Sequence, residues 1–404
     1  MRCGLLGEHL SHSYSPQIHA LLGDDSYELF EVAPSELERF LNQGDFDGLN
    51  VTIPYKKAVM PYCAELSETA KEMGCVNTLL RRKDGTLYGD NTDFDGFSWL
   101  LERNGGILAG EKALVLGSGG ASGTVQTVLR SFGANTVEVS RRGRTNYVNY
   151  KSHKDTVLLV NATPVGMYPN NGETPVDLDA LPNLRCVLDL VYNPEKTRLI
   201  LDAEERNIRC ESGLPMLVAQ AKRAREIWTG RAIPDSRCIE ILCKLKEQMR
   251  NLILIGMPGS GKSSVGKRLA QELDRPFYDA DAEIVERVGS IPAFFAQHGE
   301  AEFRRIETEV LASLGKKSGC VIATGGGCVT REENYPLLHQ NGILVRLARR
   351  LEALPVDGRP ISQSTSLQTL FEQRDPLYAR FADLTVSNDG SVEQTVKTIL
   401  EAIK

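Results

Sequence analysis

The sequence predicts an α/β protein with more than one parallel-sheet domain. Its 404 residues are enough for two or three domains, and a hydrophobic content of 41% with a charged content of 25% is typical of globular proteins. Between residues 112 and 212, apolar strand patterns alternate with helix patterns, which indicates a doubly wound sheet. A further strand, glycine-rich loop and helix begin at Leu252, which indicates another domain of the same class.

Composition and charge argue against several kinds of partner. The net charge of −6 lacks the basic footprint of a nucleic-acid-binding protein. No apolar run approaches the ~20 residues that a membrane helix needs, and Met1–Gly4 lead into a strand without a signal-peptide layout. Nine cysteines without CxxC pairs favour reduced thiols over disulfides or zinc. We therefore expect a cytoplasmic protein that binds neither nucleic acid nor a membrane.

The first hundred residues alternate short strands and helices. Strands are expected at 2–6, 27–32 and 47–52, a hairpin at 75–80 and 86–89, and helices after Pro16, at 35–42 and after Asp93.

Polar residues in this segment stand at element ends. Ser15 suits a helix N-cap before Pro16, and the alternative is that Ser13 and Ser15 bind an oxygen-rich ligand at the helix start. Lys56 follows the third strand, where ligands gather in α/β sheets, although a lone lysine is usually a solvated surface charge. Asp93 precedes a helix and is compatible with a simple N-cap.

A glycine-rich turn at 117–122 follows a strand and opens a helix, as in dinucleotide-binding domains. After the next strand, 136–139, an NAD-binding chain would carry an acidic residue. This chain has Ser140, Arg141 and Arg142 there. Basic residues at that point suit the 2′-phosphate of NADP, and the alternative is an exposed basic turn.

The loop Gly256–Ser263 fits the pattern G-x-x-x-x-G-K-[ST] of a P-loop. Its backbone N–H groups and the following helix N-terminus would cradle phosphates. Lys262 would reach the β- and γ-phosphates, and Ser263 would ligate Mg²⁺. Asp279 and Asp281 follow at the next strand end, where one carboxylate can serve a metal and the other a substrate hydroxyl.

The remaining elements follow the same alternation, and three glycines, Gly325–Gly327, offer bare backbone for close ligand approach. A charged stretch without a packed pattern places the domain boundary near residue 249. Strands are expected at 113–116, 156–161, 186–190, 252–255, 320–323, 342–346 and 384–387, and helices at 214–230, 235–249, 290–314, 367–382 and 391–402.

Residues 1–248 resemble a shikimate dehydrogenase. The resemblance implies a substrate domain over 1–100, a Rossmann-like NADP domain over 101–230 and a helix over 231–248 that packs back on the first domain. It also implies NADPH-dependent reduction of 3-dehydroshikimate to shikimate, with Lys56 and Asp93 as the catalytic pair. The motifs that carry the resemblance are His12–Pro16, Asn50–Lys56, Val76–Thr78, Asn91–Asp93, Gly117–Gly120, Asn161–Met167 and Gln220–Ala221.

The same resemblance implies two sets of binding residues. The substrate would be bound by Ser13, Ser15, Thr52, Asn77, Asp93, Tyr192 and Gln220. NADP would be bound by Gly117, Ser118, Gly119, Gly120, Ala121, Ser140, Arg141, Arg142, Thr163 and Gly213.

Residues 250–404 resemble a shikimate kinase, a P-loop domain of the nucleoside-monophosphate-kinase-like kind. The resemblance implies transfer of the γ-phosphoryl group of ATP to the 3-hydroxyl of shikimate. Lys262 would neutralise the phosphates and Asp281 would accept the hydroxyl proton. Besides the P-loop, the motifs are Asp279–Asp281, Phe303–Glu307, Gly325–Gly327, Gly358–Pro360 and Arg374–Tyr378.

This second resemblance also implies its own site residues. ATP would be bound by Gly256, Pro258, Gly259, Ser260, Gly261, Lys262, Ser263, Ser264, Arg349 and, on a closing lid, Arg359. Shikimate would be bound by Asp281, Arg304, Gly325, Gly326, Gly327 and Arg374, and Mg²⁺ by Ser263 and Asp279.

The two resemblances together imply a bifunctional enzyme of the shikimate pathway that acts on small molecules and uses NADP(H), ATP and Mg²⁺. Two other hypotheses keep the folds. In the first, the folds act on other substrates, as in a quinate-type dehydrogenase or a kinase for another polyol acid. In the second, one half is a degenerate ligand-binding or regulatory module. The sequence is also compatible with an oligomer.

Overall fold

The structure, a computed structural model, describes residues 1–10, 13–23, 26–354 and 367–403. Two compact units are present: Met1–Asn193 with Leu199–Lys244, and Pro194–Arg198 with Leu245–Lys404. The described residues form three β-sheets, with six strands in the first and five in each of the others. This architecture confirms the predicted α/β fold class.

The first sheet is mixed and belongs to the first unit, with the order β2-β1-β3-β5-β6-β4. Its strands are β1 Cys3–Gly7, β2 Tyr27–Glu31, β3 Gly48–Val51, β4 Cys63–Leu66, β5 Thr78–Arg81 and β6 Leu87–Asp90. Its helices are α1 Ser15–Leu21, α2 Leu37–Gln43, α3 Glu68–Met73 and α4 Asp93–Arg103. Strands β5 and β6 pair antiparallel, so the predicted hairpin is confirmed.

The second sheet completes the first unit and is parallel throughout, with the order β11-β10-β9-β7-β8. Its strands are β7 Lys112–Leu116, β8 Asn135–Val139, β9 Thr156–Asn161, β10 Cys186–Asp189 and β11 Arg209–Ser212. The helices that follow α4 are α5 Gly120–Ser131, α6 Arg198–Glu205, α7 Leu214–Thr229 and α8 Asp235–Met249. The order along the sheet reverses between β7 and β9, which is where ligands bind in doubly wound folds.

The third sheet forms the second unit and is also parallel, with the order β13-β14-β12-β15-β16. Its strands are β12 Asn251–Ile255, β13 Phe277–Asp279, β14 Val321–Ala323, β15 Gly342–Ala348 and β16 Leu384–Ser387. Its helices are α9 Lys262–Leu273, α10 Ala280–Val288, α11 Ile291–Gly315, α12 Asn334–His339, α13 Leu367–Phe381 and α14 Val392–Ala402.

Interior strands of both parallel sheets are buried on two faces. In β12, Ile253 packs into one apolar cluster while Leu252 and Leu254 pack into the cluster on the other face. In β7, Val115 and Leu114 divide in the same way between two clusters. Side chains alternate between the faces of a strand, so an apolar run of four residues contributes to two cores at once. Each of the two glycine-rich loops follows the carboxyl end of one of these buried strands.

Some local predictions were wrong. Ser15 is the first residue of α1 rather than its N-cap, which is Tyr14, and Tyr14 makes no side-chain capping bond. Asp93 is likewise the first residue of α4, with Thr92 before it. The helix α11 corresponds to the predicted helical stretch 290–314 and contains a break at Gly299, whose φ of 79° lies in the left-handed region.

Two general features accompany this fold. In the described ranges, no helix is both long enough and apolar enough to cross a membrane. The nine cysteines are all free thiols, and burial raises the pKa of those in the cores, such as Cys186 to about 12 and Cys320 to about 11. Buried thiols of this kind behave as small apolar side chains.

Candidate active sites

An ammonium–carboxylate pair lies in the first unit. Lys56 follows β3, Asp93 begins α4, and Lys56 Nζ donates to Asp93 Oδ2 at 2.7 Å. Burial disfavours the ammonium form, but the charge of Asp93 and the hydrogen bond to it outweigh burial and raise the pKa of Lys56. Lys56 is therefore a cation at neutral pH and a fixed proton donor.

This pair opens into a cavity of about 130 Å³. The structure brings together in its lining Lys56 and every residue predicted for the dehydrogenase substrate: Ser13, Ser15, Thr52, Asn77, Asp93, Tyr192 and Gln220. These residues lie at the start of α1, after β3, before β5, at the start of α4, after β10 and in α7. The cavity is lined by hydroxyls, amides and one ion pair, which suits a small polyol acid.

The orientation of Asn77 is set by its neighbours. Its Oδ1 accepts from Thr92 N at 2.7 Å and from the Thr78 hydroxyl at 3.0 Å. Asn77 is only 5% exposed. Because its acceptor atom is already used, Asn77 presents the NH₂ group as its free face to a ligand.

Sequence reasoning missed His19 and Asn50, which also line this cavity. His19 Nε2 lies 3.1 Å from Asn50 Oδ1, which also accepts from the Tyr27 hydroxyl at 2.8 Å. The His19 ring stacks on Tyr27 with centroids 4.0 Å apart. Burial lowers the pKa of His19 to about 3, so the ring is neutral. Helical and strand spacing contained a signal for both, since His19 lies one turn after Ser15 and Asn50 two residues before Thr52.

The glycine-rich turn that is predicted to bind a dinucleotide lies at the carboxyl end of β7. Gly117 has a φ of 105°, and a Cβ there would lie 3.1 Å from the carbonyl of Ala162 beyond β9. The turn continues through Ser118 and Gly119, and α5 begins at Gly120. The Ser122 hydroxyl donates to Gly117 O at 2.6 Å and holds the turn closed. The turn thus directs the N-terminus of α5 to the switch point of the sheet, as a phosphate site requires.

The other predicted cofactor residues follow three further strands of the same sheet, β8, β9 and β11. Ser140 is buried directly after β8, and Arg141 and Arg142 beside it are exposed. Thr163 lies after β9, where its methyl group faces Gly117. Gly213 precedes α7 and packs against the Leu190 carbonyl so closely that no side chain would fit.

The second unit contains a larger cavity of about 750 Å³. Predicted residues in its lining are Pro258, Gly259, Gly261, Lys262, Ser263, Ser264, Asp281, Arg304, Gly325, Gly326, Gly327, Arg349 and Arg374. Residues that sequence reasoning did not assign are Val285, Ser290, Ile291, Pro292, Phe295, Phe303, Glu307 and Thr324. Arg359 and the rest of the predicted lid lie outside the described residues. The cavity therefore has a phosphate loop on one side and an apolar wall with arginines on the other.

The P-loop adopts the strained geometry that its glycines predict. Gly256, Gly259 and Gly261 have φ values of 147°, 85° and 93°, which only glycine adopts readily. Lys262 Nζ donates to Gly256 O at 2.9 Å and Met257 O at 3.0 Å, so the ammonium lies over its own loop. This arrangement places positive charge where phosphate oxygens would enter.

The predicted metal ligands meet at the edge of this loop. Ser263 Oγ donates to Asp279 Oδ2 at 2.6 Å. Within the described ranges no group of three or more His, Cys, Asp or Glu side chains could hold a metal ion by itself. One hydroxyl and one carboxylate fit Mg²⁺, which usually keeps several waters and takes further oxygens from substrate phosphates.

A buried ion pair forms the other side of the cavity. Arg304 Nη1 donates to Glu307 Oε2 at 2.7 Å, and the side chains are 8% and 1% exposed. Burial raises the pKa of Glu307, although the charge of Arg304 opposes the shift. Gly327 lies directly against the Arg304 guanidinium, where a Cβ would overlap it. The i, i+3 spacing in Phe303–Glu307 was the available signal for this pair.

The glycine loop is fixed by two residues of α13. Arg374 Nη1 donates to Gly326 O at 3.0 Å and the Tyr378 hydroxyl donates to the same carbonyl at 2.5 Å. Burial raises the pKa of Tyr378, so its hydroxyl is a permanent donor. Arg349, after β15, donates to Gly259 O at 3.3 Å and flanks the P-loop.

Comparisons with known families agree with both halves of this geometry. Residues 5–79 match the family model described as "Shikimate dehydrogenase substrate binding domain", and residues 258–404 match the model "Shikimate kinase". The first range includes Ser13, Ser15 and Lys56 of the first cavity, and the second range includes every residue that lines the second cavity.

Relatives and solved structures match the first part of the chain. The NADP(+) shikimate dehydrogenase of Clostridium beijerinckii is 39% identical to this chain, in an alignment that covers 56% of this chain and 90% of the relative. The NADP(+) shikimate dehydrogenase of Methanopyrus kandleri is 37% identical, and the alignment covers 57% of this chain and 91% of the relative. A solved chorismate mutase/shikimate 5-dehydrogenase fusion protein from Clostridium acetobutylicum is 36% identical with a TM-score of 0.58, covering 61% of this chain and 96% of that one. The shikimate 5-dehydrogenase of Thermus thermophilus, solved with NADP(H) and shikimate, is 33% identical with a TM-score of 0.55, covering 60% and 99%. The chain therefore belongs to the shikimate dehydrogenase family over its first part and carries a shikimate kinase domain after it, an oxidoreductase and a kinase in one polypeptide.

Proposed function

We propose that this chain reduces 3-dehydroshikimate to shikimate with NADPH and then phosphorylates shikimate at its 3-hydroxyl with ATP. The observation that carries the proposal is that one chain holds Lys56 with Asp93 in one cavity and Lys262 with Asp281 in another. Within the first unit, residues 1–100 would bind the substrate and residues 101–230 the cofactor. The product of the first site is the substrate of the second.

In the first site, Lys56 acts as the acid. Bound NADPH would supply a hydride to the ketone carbon, and the electron pair of the C=O bond moves to oxygen. The ammonium of Lys56 stabilises that oxyanion and transfers its proton, so an alcohol forms and a neutral amine remains. Asp93, at 2.7 Å, orients Lys56 and favours its protonated form before each turnover.

Selection of NADP over NAD would depend on the basic turn after β8. Arg141 and Arg142 are exposed there, so their guanidinium groups are available to a 2′-phosphate. The relatives named above are NADP(+) enzymes, which supports this assignment. Gly117, Ser118, Gly119, Gly120 and Ala121 would receive the pyrophosphate at the N-terminus of α5.

In the second site, Asp281 acts as the base. Its carboxylate lines the same cavity as Lys262 and the Gly325–Gly327 loop. Asp281 would accept the proton of the 3-hydroxyl as that oxygen attacks the γ-phosphorus and the bond to the ADP oxygen breaks. Lys262 would stabilise the charge that develops on the transferred group. Arg304 and Arg374 would bind the substrate carboxylate, because guanidinium groups match carboxylates in a bidentate manner.

Mg²⁺ would be held at Ser263 and Asp279, beside the phosphate loop. When bound, the ion would neutralise part of the phosphate charge and so reduce the repulsion of the incoming hydroxyl. The hydrogen bond between the two side chains, 2.6 Å long, places both oxygens on one side of the loop.

A one-pot mass-spectrometric assay tests both reactions. The purified chain receives 3-dehydroshikimate, NADPH, ATP and Mg²⁺, and each is omitted in turn. We expect shikimate 3-phosphate only when NADPH and ATP are both present, and shikimate alone when ATP is omitted. Shikimate that accumulates without phosphate in the complete mixture would contradict the kinase assignment. Supplied shikimate that is phosphorylated without any reduction of the ketone would contradict the dehydrogenase assignment.

A further inference from the structure

A side chain from the far end of the second unit contacts the back of the P-loop. Asn388 follows β16 and is 6% exposed. Its Nδ2 donates to Ser260 O at 2.6 Å, across 128 residues of sequence. Its backbone N donates to Ala348 O at 2.7 Å, which attaches Asn388 to the end of β15. The P-loop carbonyl is therefore bound by a group that is itself fixed to the sheet.

The orientation of this amide is also fixed. Thr395, in α14, donates its hydroxyl to Asn388 Oδ1 at 2.7 Å and is 2% exposed. An asparagine amide can present either oxygen or NH₂ to a neighbour. Because the Thr395 hydroxyl donates to the amide oxygen of Asn388, the NH₂ group of the amide faces Ser260 O. The carbonyl oxygen of Ser260 can only accept a hydrogen bond, so this orientation satisfies both groups.

The consequence for the loop follows from peptide geometry. In a trans peptide the C=O and the next N–H point in opposite directions. Because Asn388 holds Ser260 O behind the loop, the N–H of Gly261 points to the other side, toward the cavity that Gly261 and Lys262 line. A Cβ at Gly261 would lie 2.5 Å from Asn388 Nδ2, so the amide packs directly on the loop backbone.

We propose that Asn388, oriented by Thr395, is a positioning residue that presets the Gly261 N–H for a phosphate oxygen. Neither side chain lines the cavity, so the pair would act through the Ser260–Gly261 peptide. The inference rests on the proposed ATP-dependent function of this unit and adds to it a device for preorganising the phosphate cradle. An amide already aimed at its ligand avoids the cost of ordering the loop during binding.

The test compares a phosphate probe with a probe that lacks phosphate. Dissociation constants of tripolyphosphate and of adenosine are measured by calorimetry on the full chain and its variants. In Asn388→Ala we expect tripolyphosphate to bind about tenfold more weakly, the scale of one or two lost hydrogen-bond contributions, with adenosine unchanged. Thr395→Val should shift tripolyphosphate in the same direction, and Thr395→Ser, which keeps the hydroxyl, should restore it.

Matched controls separate this role from simple damage to the fold. Thr398→Val removes an exposed hydroxyl from the same helix, bonded only to Gln394 O in the described contacts, and should change neither constant. Dehydrogenase activity should be unaffected in every variant. If Asn388→Ala does not fold, Thr395→Val carries the comparison.

Three results would overturn the inference: unchanged tripolyphosphate affinity in both variants, an equal loss of adenosine affinity, or wild-type chain that does not bind tripolyphosphate. Wild-type chain that binds tripolyphosphate but phosphorylates no shikimate would instead contradict the proposed kinase reaction, and the variants would still test the positioning role.

Discussion

The two cavities of this chain hold their lysines in opposite ways. In the first unit, Lys56 Nζ binds the carboxylate of Asp93, 37 residues away in sequence, at 2.7 Å. In the second unit, Lys262 Nζ binds the carbonyls of Gly256 and Met257, which belong to its own loop. The first lysine is thus held by a side chain of another element, and the second by the backbone of its own loop.

This difference fits the negative charges expected at the two sites, an oxyanion at Lys56 and a polyphosphate at Lys262. The carboxylate of Asp93 keeps Lys56 protonated, so Lys56 stays ready to give a proton to a single developing oxyanion. In the second unit, the backbone carbonyls of the P-loop hold the ammonium of Lys262 over the loop that would receive a polyphosphate. The comparison teaches that the partner of a lysine, rather than the lysine itself, decides which chemistry the site favours.

The largest expected effect is a reciprocal loss of the two activities. Lys56→Ala should lower the rate of ketone reduction by at least about 100-fold, because the acid and the oxyanion partner are both removed. Lys262→Ala should lower phosphorylation by a similar factor. Each variant should keep the other activity, measured by NADPH oxidation and by ATP-dependent formation of shikimate 3-phosphate.

The neighbouring exposed lysines provide controls for that comparison. Lys57→Ala and Lys267→Ala change the same charge on the same segments outside the cavities and should leave both rates near wild type. Loss of both activities in a folded Lys56→Ala or Lys262→Ala chain would contradict two independent sites.

A second expected effect separates stability from chemistry. Glu307→Ala leaves the buried guanidinium of Arg304 without its 2.7 Å partner and should destabilise the second unit by roughly 3 kcal/mol. The matched control is Glu302→Ala in the same helix, which removes an exposed i, i+3 partner of Arg305 and should cost less than about 1 kcal/mol. Thermal inactivation of the kinase measures both. Equal midpoint temperatures of inactivation for the two variants would show that the buried Arg304–Glu307 pair contributes no more to stability than the exposed pair.

The contrast between the sites also explains what could be predicted from sequence. The P-loop lies in one contiguous stretch, so its spacing identified Lys262 and Ser263 directly, and the flanking strand and helix are where the pattern placed them. The first cavity needs residues from α1, β3, α4 and α7 to converge, which no local pattern encodes. Those residues were identified by resemblance to a family rather than by periodicity.

Other features were out of reach for physical reasons. Short elements such as β4 and β11 have too few residues for a periodic signal, and tertiary pairing decides them. Burial turns Glu307 from an ordinary helix carboxylate into half of a buried pair, and burial is a property of the fold. Asn388 contacts Ser260 only because β15 and β16 place its loop behind the P-loop.

A third effect concerns acid and the first unit. His19 has a pKa of about 3 in the folded chain, caused by burial, with Arg225 also disfavouring its charge and Asn50 opposing both. The unfolded chain has the ordinary value near 6.5, so above that pH both states are neutral and the stability is complete. Below it, the unfolded state alone gains a proton, and stability falls by about 1.4 kcal/mol per pH unit, or about 2 kcal/mol at pH 5.

The variant His19→Phe removes this titration and keeps a ring to stack on Tyr27 and Trp228. Both tryptophans of the chain, Trp99 and Trp228, lie in the first unit, so denaturant unfolding followed by tryptophan fluorescence reports on that unit. The loss of stability between pH 7 and pH 5 should be about 2 kcal/mol smaller in His19→Phe than in wild type. An equal loss in both chains would mean that His19 takes up its proton while folded.

The smallest expected effect concerns the part of the second cavity that would bind shikimate, here called the acceptor side. It tests whether the backbone of the Gly325–Gly327 loop is held in place there by side-chain hydrogen bonds. Tyr378 and Arg374 both donate to Gly326 O, which turns the N–H of Gly327 away from them, since a trans peptide opposes the two groups. Tyr378→Phe removes one donor and keeps the buried ring, so Arg374 still holds the carbonyl. We expect KM for shikimate to rise about fivefold, the scale of one net hydrogen bond, with KM for ATP unchanged.

The control Tyr278→Phe, in β13, changes a ring that lies beside Lys317 and should alter neither constant. If Tyr378→Phe raised KM for ATP as much as KM for shikimate, the hydroxyl would be supporting the whole domain, and the division between a nucleotide side fixed by Asn388 and an acceptor side fixed by Tyr378 would fail.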